Sequence, residues 1–230
     1  MKIGFSGLNS LIWMSVLLVV FSFPGYCQSS VSQAVTPGDD TANVDVASSG
    51  KVLVGKGGQE LVVADFDTGD KPNNLGGDFG VWDKDPNDDT QSISSSFVED
   101  DALGNPGGFS LRLDYDVDSP NPAYNGFWMK LEGNDASSYN TLNFYVKGDS
   151  DKGFTKRIKI ELKDETNKPS AYIVSGITSE WQKVSIPFEK FRRITDWSKM
   201  SEAVIVFDDI NSNPKTGTIF VDQISFSAEE

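Results

Sequence analysis

The segment AYNGFWMKLEG, residues 123–133, places chemistry where a plain core strand would not need it. Side chains alternate in an extended chain, so Phe127, Met129 and Leu131 share one face and Trp128 and Lys130 share the other. Tyr124 has the parity of Trp128. An indole turned toward water beside a tyrosine and charged groups can stack on the C–H face of a sugar ring while its neighbours bind hydroxyls. The alternative is that Trp128 packs under a loop or on a lysine stem. Trp82, in FGVWDKDPNDD, is open to two readings, a second wall of such a surface or an anchor for an acidic loop. Trp181, at the start of WQKVSIPF, and Trp197, in TDWSKM, are expected to pack.

A second group is acidic. Asp65 and Asp67 lie two apart in ADFDTGD, and Asp222 lies in the final run VDQISF. Carboxylates brought together repel unless protons or a cation neutralise them. Calcium takes six to eight oxygen ligands and accepts carbonyls as readily as carboxylates. Solvated strand or turn aspartates are the other reading. DKDPNDD has the look of a calcium loop but lacks the glycine and distal glutamate of an EF-hand.

Other chemistry is excluded by composition. The chain has no histidine and one cysteine, Cys27. Ser-His-Asp and Cys-His catalysis and the commonest zinc sites are therefore out of reach. Paired-carboxylate glycoside hydrolysis is the one enzyme class permitted, but among 34 Asp+Glu no pair stands out. The net charge of −14 disfavours nucleic acid and anionic membrane surfaces.

These groups need elements to hold them. LVVADFD, FSLRLDYDV, GFWMKLEG, TLNFYVKG, IKIELKD, AYIVSG, WQKVSIPF, EAVIVFDD and TIFVDQISF are short alternating runs separated by Gly, Asn, Asp, Pro and Ser. That spacing predicts an all-β antiparallel sandwich or barrel. One or two helical turns fit only in residues 188–200. Ahead of the strands, residues 11–23 form an apolar run too short to span a bilayer and suited to a signal peptide, expected over 1–27. Lipidation at Cys27 is the second reading there. Residues 28–60 read as a flexible spacer, with a short strand at 51–54, and 61–230 as the folded domain. The protein is thus expected to be secreted or periplasmic, without a stable membrane span.

The succession LVVADFDTGDKPNNLGGDFGVW, YNGFWMKLEGNDASSYNTLNFYVKGD, IKIELKD, GITSEWQKVSIPFEKF and GTIFVDQISF resembles the galactose-binding-like jelly-roll superfamily. It is most similar to family-eleven carbohydrate-binding modules and to the domain of the complex I intermediate-associated protein of 30 kDa. The resemblance implies a two-sheet jelly roll whose concave face binds β-glucan-like chains. It also implies a structural calcium at the positions of Asp65, Asp67 and Asp222. Trp128, Tyr124 and Tyr172 are the candidates for the family's binding aromatics. The expectation is a non-catalytic module for a polysaccharide or oligosaccharide. Trp128, Tyr124, Trp82 and Tyr172 would stack on the ligand, and Arg112, Lys130 and Glu161 would bond its hydroxyls. The alternative is an exported protein-interaction domain, with an envelope protein as partner and no sugar site.

Overall fold

Alternating runs become strands because only a two-residue period can bury one side of a chain and wet the other. In the computed structural model the described residues are 52–54, 59–99, 102–103 and 107–229. They form twelve strands: β1 (Val52–Val54), β2 (Gln59–Ala64), β3 (Phe79–Asp83), β4 (Ser92–Val98), β5 (Ser110–Asp116), β6 (Tyr124–Asn134), β7 (Thr141–Gly148), β8 (Arg157–Asp164), β9 (Ser170–Ser175), β10 (Gln182–Pro187), β11 (Met200–Asp208) and β12 (Thr216–Ser227). The signal-peptide reading, Cys27 and most of the spacer fall outside the described residues. The short strand expected at 51–54 is β1, which pairs with β2 and so joins the sheet. In place of helical turns over 188–200 there is one 3₁₀ turn, Phe188–Lys190.

All pairings are antiparallel, and they make two sheets. One has five strands in the order β3-β6-β11-β8-β9. The other has seven, with β12 at its centre. One edge of β12 pairs with β5 and then β2, and the opposite edge pairs with β7. β4 extends the sheet beyond β5, and β10 extends it beyond β7. The protein is an all-β sandwich of jelly-roll type.

The inner faces carry the residues that the alternation selects. Phe127, Met129 and Leu131 of β6, Ile158, Ile160 and Leu162 of β8, and Leu111, Leu113 and Tyr115 of β5 are all buried in one cluster. Tyr115 of the larger sheet stacks on Phe207 of the smaller, ring centroids 4.2 Å apart, which ties the two layers together. β12 breaks strict alternation once. Gln223 adopts φ 52° and forms a bulge. Such an extra residue shifts the register by one, so Val221, Ile224 and Phe226 all point inward while Asp222 does not.

Candidate functional site

The outer face of the five-stranded sheet is where the opening tryptophan lies. β6 and β3 are neighbours, with Gly80 opposite Trp128 and Trp82 opposite Gly126. Each indole therefore faces a glycine on the next strand. A Cβ built on Gly80 would come within 3.3 Å of Trp128 Cζ2, and one on Gly126 within 3.2 Å of Trp82 Nε1. The bare glycines let both rings lie down along the sheet instead of standing off it. Tyr124 meets Trp82 edge to face at 5.7 Å. On β11, Val204 and Val206 point outward in the same rows, yet they are only 4% and 3% exposed. Neither belongs to the core cluster, so the cover comes from side chains on this face.

A charged row borders the aromatic one. Lys130, Glu202 and Lys163 stand side by side on β6, β11 and β8. Glu202 accepts from Lys130 Nζ at 2.5 Å and from Lys163 Nζ at 2.6 Å. Burial pushes the Glu202 carboxyl up, but hydrogen bonds from Lys130 and Lys163 outweigh it and hold the group below its ordinary range. Lys130 Nζ also lies 5.3 Å from the centre of the Trp128 ring, within cation–π range. Glu161 is opposite Val204 on β8. Trp82, Trp128, Lys130, Glu161, Lys163 and Glu202, with Val204 at the floor, line an open groove of about 430 Å³. It offers two apolar ring surfaces beside hydrogen-bonding groups of both signs, which suits a ligand with flat C–H faces and hydroxyl edges.

Of the residues named from sequence, Trp128, Trp82, Lys130 and Glu161 share this groove, and Tyr124 flanks it. Arg112 does not join them. It belongs to β5 in the other sheet, and its guanidinium is held by Asp114 at 2.8 and 2.9 Å. Tyr172 does not join either. It lies opposite the buried Ile160 on β9, and it packs toward Phe191 at the core. Trp181, expected to close the core, instead lies under the Lys147 ammonium at 5.3 Å, outside the core cluster. Glu202 and Lys163 were missed as groove residues. Their alternation was visible, but only strand order brings them beside Lys130.

The acidic trio occupies a separate corner. Asp222, fully buried, accepts from the backbone N–H of Leu103 at 2.9 Å and of Gln223 at 2.8 Å. Burial raises its carboxyl to about 6, and the charges of Asp67 and Asp65 push the same way. Asp65 accepts from the Asn74 amide at 2.8 Å. Carboxylate oxygens that repel one another in a buried corner are the donor chemistry of a hard cation. Among the described residues, however, no group of three or more His, Cys, Asp or Glu side chains is gathered closely enough to hold a metal.

A family model for carbohydrate binding domain 30 matches residues 73–228. Among solved structures, the family 11 carbohydrate-binding module of the cellulosomal cellulase Lic26A-Cel5E of Clostridium thermocellum superposes with a TM-score of 0.54 at 19% identity, covering 74% of this chain and 96% of that one. A family 11 module from the same organism, solved with a β-1,3-1,4-mixed-linked tetrasaccharide, gives 0.53 at 19%, again over 74% and 96%. An exo-β-agarase gives 0.53 at 11%, over 74% of this chain and 25% of that one. At these identities the likeness is one of fold. No curated protein matches the chain. No helix among the described residues is long and apolar enough to cross a membrane.

Proposed function

The chain belongs to the carbohydrate binding domain 30 family, and from that premise we propose that it is an exported, non-catalytic module that holds a polysaccharide or oligosaccharide by stacking it on Trp128 and Trp82. The observation that carries this reading is the pair of indoles, each close against a glycine of the neighbouring strand, lining one open groove. Rings in that posture present a broad apolar surface without needing to move. Tyr124 extends the shelf. Lys130, Glu161, Lys163 and Glu202 supply donors and acceptors for hydroxyls along its border. The clostridial module of the same fold was solved with a β-1,3-1,4-mixed-linked tetrasaccharide, which makes a polysaccharide of that linkage, such as mixed-linkage β-glucan, the first ligand to try.

Affinity electrophoresis through gels containing mixed-linkage β-glucan, xylan or mannan tests the reading. The full chain is expected to be retarded by at least one of them, and Trp128→Ala to run as in an empty gel while keeping its melting transition. A folded Trp128→Ala variant retarded as strongly as the parent would remove the site. No retardation by any polysaccharide, with an envelope protein captured instead, would favour the protein-docking alternative.

A structural calcium held by Asp222 with Asp65 and Asp67 is a separate part of the proposal. It rests on the full burial of Asp222 and on the like charge that Asp67 and Asp65 bring to it; the three carboxylates would have to draw closer together than they stand here to share an ion. A chelator should lower the melting temperature and added calcium restore it. A transition that moves with neither discards the ion and leaves the sugar site untouched.

A further inference from the structure

The groove does not stop at Glu161. Beyond it, at the β8–β9 edge, the same face opens into a second hollow of about 350 Å³. Glu161 lines both hollows. The second is bordered by Lys159, Ala171, Lys190, Arg192 and Arg193. Four cations around one hollow are notable in a chain with only 20 Lys+Arg against 34 Asp+Glu. Trp128, Val204, Glu161 and Ala171 stand opposite one another on successive strands. Three strand spacings of ~4.8 Å put the indole and the basic hollow roughly 14 Å apart. A chain of sugars laid across the strands would reach from one to the other.

The basic groups are held by the fold. Phe188, Phe191 and Ile194 are buried, at 7%, 1% and 8% exposure. Phe188 stacks on Trp197 at 3.7 Å. The Phe191 N–H donates to the Phe188 carbonyl, and the Ile194 N–H to the Phe191 carbonyl. The Arg193 backbone N–H donates to Ser170 Oγ at 3.0 Å. With every third position pinned inward, Lys190, Arg192 and Arg193 are left on the outside.

Their charges are unequally committed. Lys190 pairs with Glu189 at 2.9 Å. Lys159 is shared between Glu161 at 3.4 Å and Asp208 at 3.9 Å. Arg192 acts on the Glu189 carboxylate from beyond ion-pair distance, and among the described residues Arg193 makes no ion pair. Two adjacent exposed guanidiniums present planar donor forks, the geometry that binds carboxylate or sulfate through paired hydrogen bonds.

The geometry points to an anionic polysaccharide as the ligand class, with a sugar stacked on the indoles and a carboxylate or sulfate a few units along the chain held by Arg192 and Arg193. This rests on the sugar-binding reading above and sharpens it. The acidic remainder of the surface repels polyanions at a distance, so the preference is local and depends on the ligand reaching this hollow from the aromatic shelf.

Four probes test it with the full chain: a β-glucuronan, the same polymer after carboxyl reduction, a sulfated β-glucan, and its desulfated parent. The parent protein is expected to bind at least one anionic polymer about tenfold or more tighter than its neutral partner. Which of the two shows the gain tells carboxylate from sulfate. In R192S/R193S that ratio should fall toward one while binding to the neutral polymer stays unchanged. Raising salt from about 50 to about 500 mM should weaken only the anionic member of each pair. Trp128→Ala should lose both members. Equal binding of charged and neutral forms, or a ratio untouched in R192S/R193S, overturns the anionic assignment while the neutral binding still supports the sugar site. Selective anion binding that survives Trp128→Ala would make the hollow a separate site and overturn the continuous ligand. Absence of binding to all four, together with no retardation by any neutral polysaccharide, takes the sugar reading down as well.

Discussion

Trp128 and Trp197 are both half-buried indoles, and they are used in opposite ways. Trp197 is stacked against Phe188 with centroids 3.7 Å apart and planes 2° from parallel. Phe191 approaches its edge at 6.4 Å, and the group packs against the core. Its ring is braced by aromatics that belong to the fold, although it also borders an open hollow of about 710 Å³ with Glu189, Thr195 and Asp196. Trp128 rests instead on a glycine, beside an outward valine and a row of ion pairs, in an open groove. Fractional exposure does not separate the two rings. What each ring lies on does: a ring braced by other rings stabilises the domain, and a ring laid on bare backbone keeps its surface for something else.

The contrast breaks most sharply through Trp197. Trp197→Ala leaves Phe188 without its stacking partner and opens a void at the turn. It should cost about 3 kcal/mol, seen as a fall in melting temperature of roughly 10 °C. Retention by the polysaccharide, per folded molecule, should be unchanged. Trp128→Ala should show the reverse. Loss of a central aromatic contact is worth about 2 kcal/mol of binding, near thirtyfold, with a melting shift under about 3 °C. If both variants lost stability equally, the two indoles would be the same kind of residue and the comparison would fail.

That difference was only half legible in the sequence. Alternation put Trp128 and Lys130 on the wet side of β6 and Phe127, Met129 and Leu131 inside, because one face of a half-buried strand must be apolar. It did the same for β5, where Arg112 and Asp114 alternate with buried residues. Alternation does not say which sheet a strand joins. Arg112 and Trp128 both face solvent, but from different sheets, so they cannot share a ligand. Tyr172 shows the limit within one sheet: its register opposite Ile160 puts it on the inner side of β9. Glu202 and Lys163 entered the groove only through pairings between strands distant in sequence. The glycines under the two indoles were equally invisible, since Gly80 meets Trp128 across 48 positions.

Those glycines give a gentler way to sharpen the comparison. Gly80→Val adds a branched side chain where a single Cβ already sits 3.3 Å from Trp128 Cζ2. The indole must tilt off the sheet. Binding should weaken by about 1 kcal/mol, roughly fivefold, with little change in melting because β3 is an edge strand and valine suits a strand. The same change at Gly126 would be a poor test. Its Cβ would meet the Ile205 carbonyl oxygen without room to yield, so the backbone itself would shift. Unaltered affinity in a folded Gly80→Val variant would show that the posture of the ring is immaterial.

The smallest effect is electrostatic. Glu202 has a folded carboxyl held below its ordinary value of 4.5. Although burial opposes the charged form, bonds from Lys130 and Lys163 favour it more. A group depressed on folding stabilises the folded state above its unfolded pKa, and that contribution disappears as pH falls through the folded value. The ion-pair row should therefore be intact at neutral pH and weaken on acidification below about 4.5. The Glu202 side chain is only 13% exposed, but both pairs reach the surface through their lysines, and pairs at the surface contribute only about 0.5 kcal/mol each. Because Lys130 also lies over Trp128, releasing it loosens the groove before it loosens the fold. Retention should fall as the pH drops below about 4.5 more than the melting temperature does, and Glu202→Gln should flatten that part of the retention curve. Trp197 lies outside the groove that this row borders, so Trp197→Ala should leave the pH profile of retention as it is in the parent. Parallel retention curves for Glu202→Gln and the parent across that range would show that the carboxylate braces nothing the ligand uses.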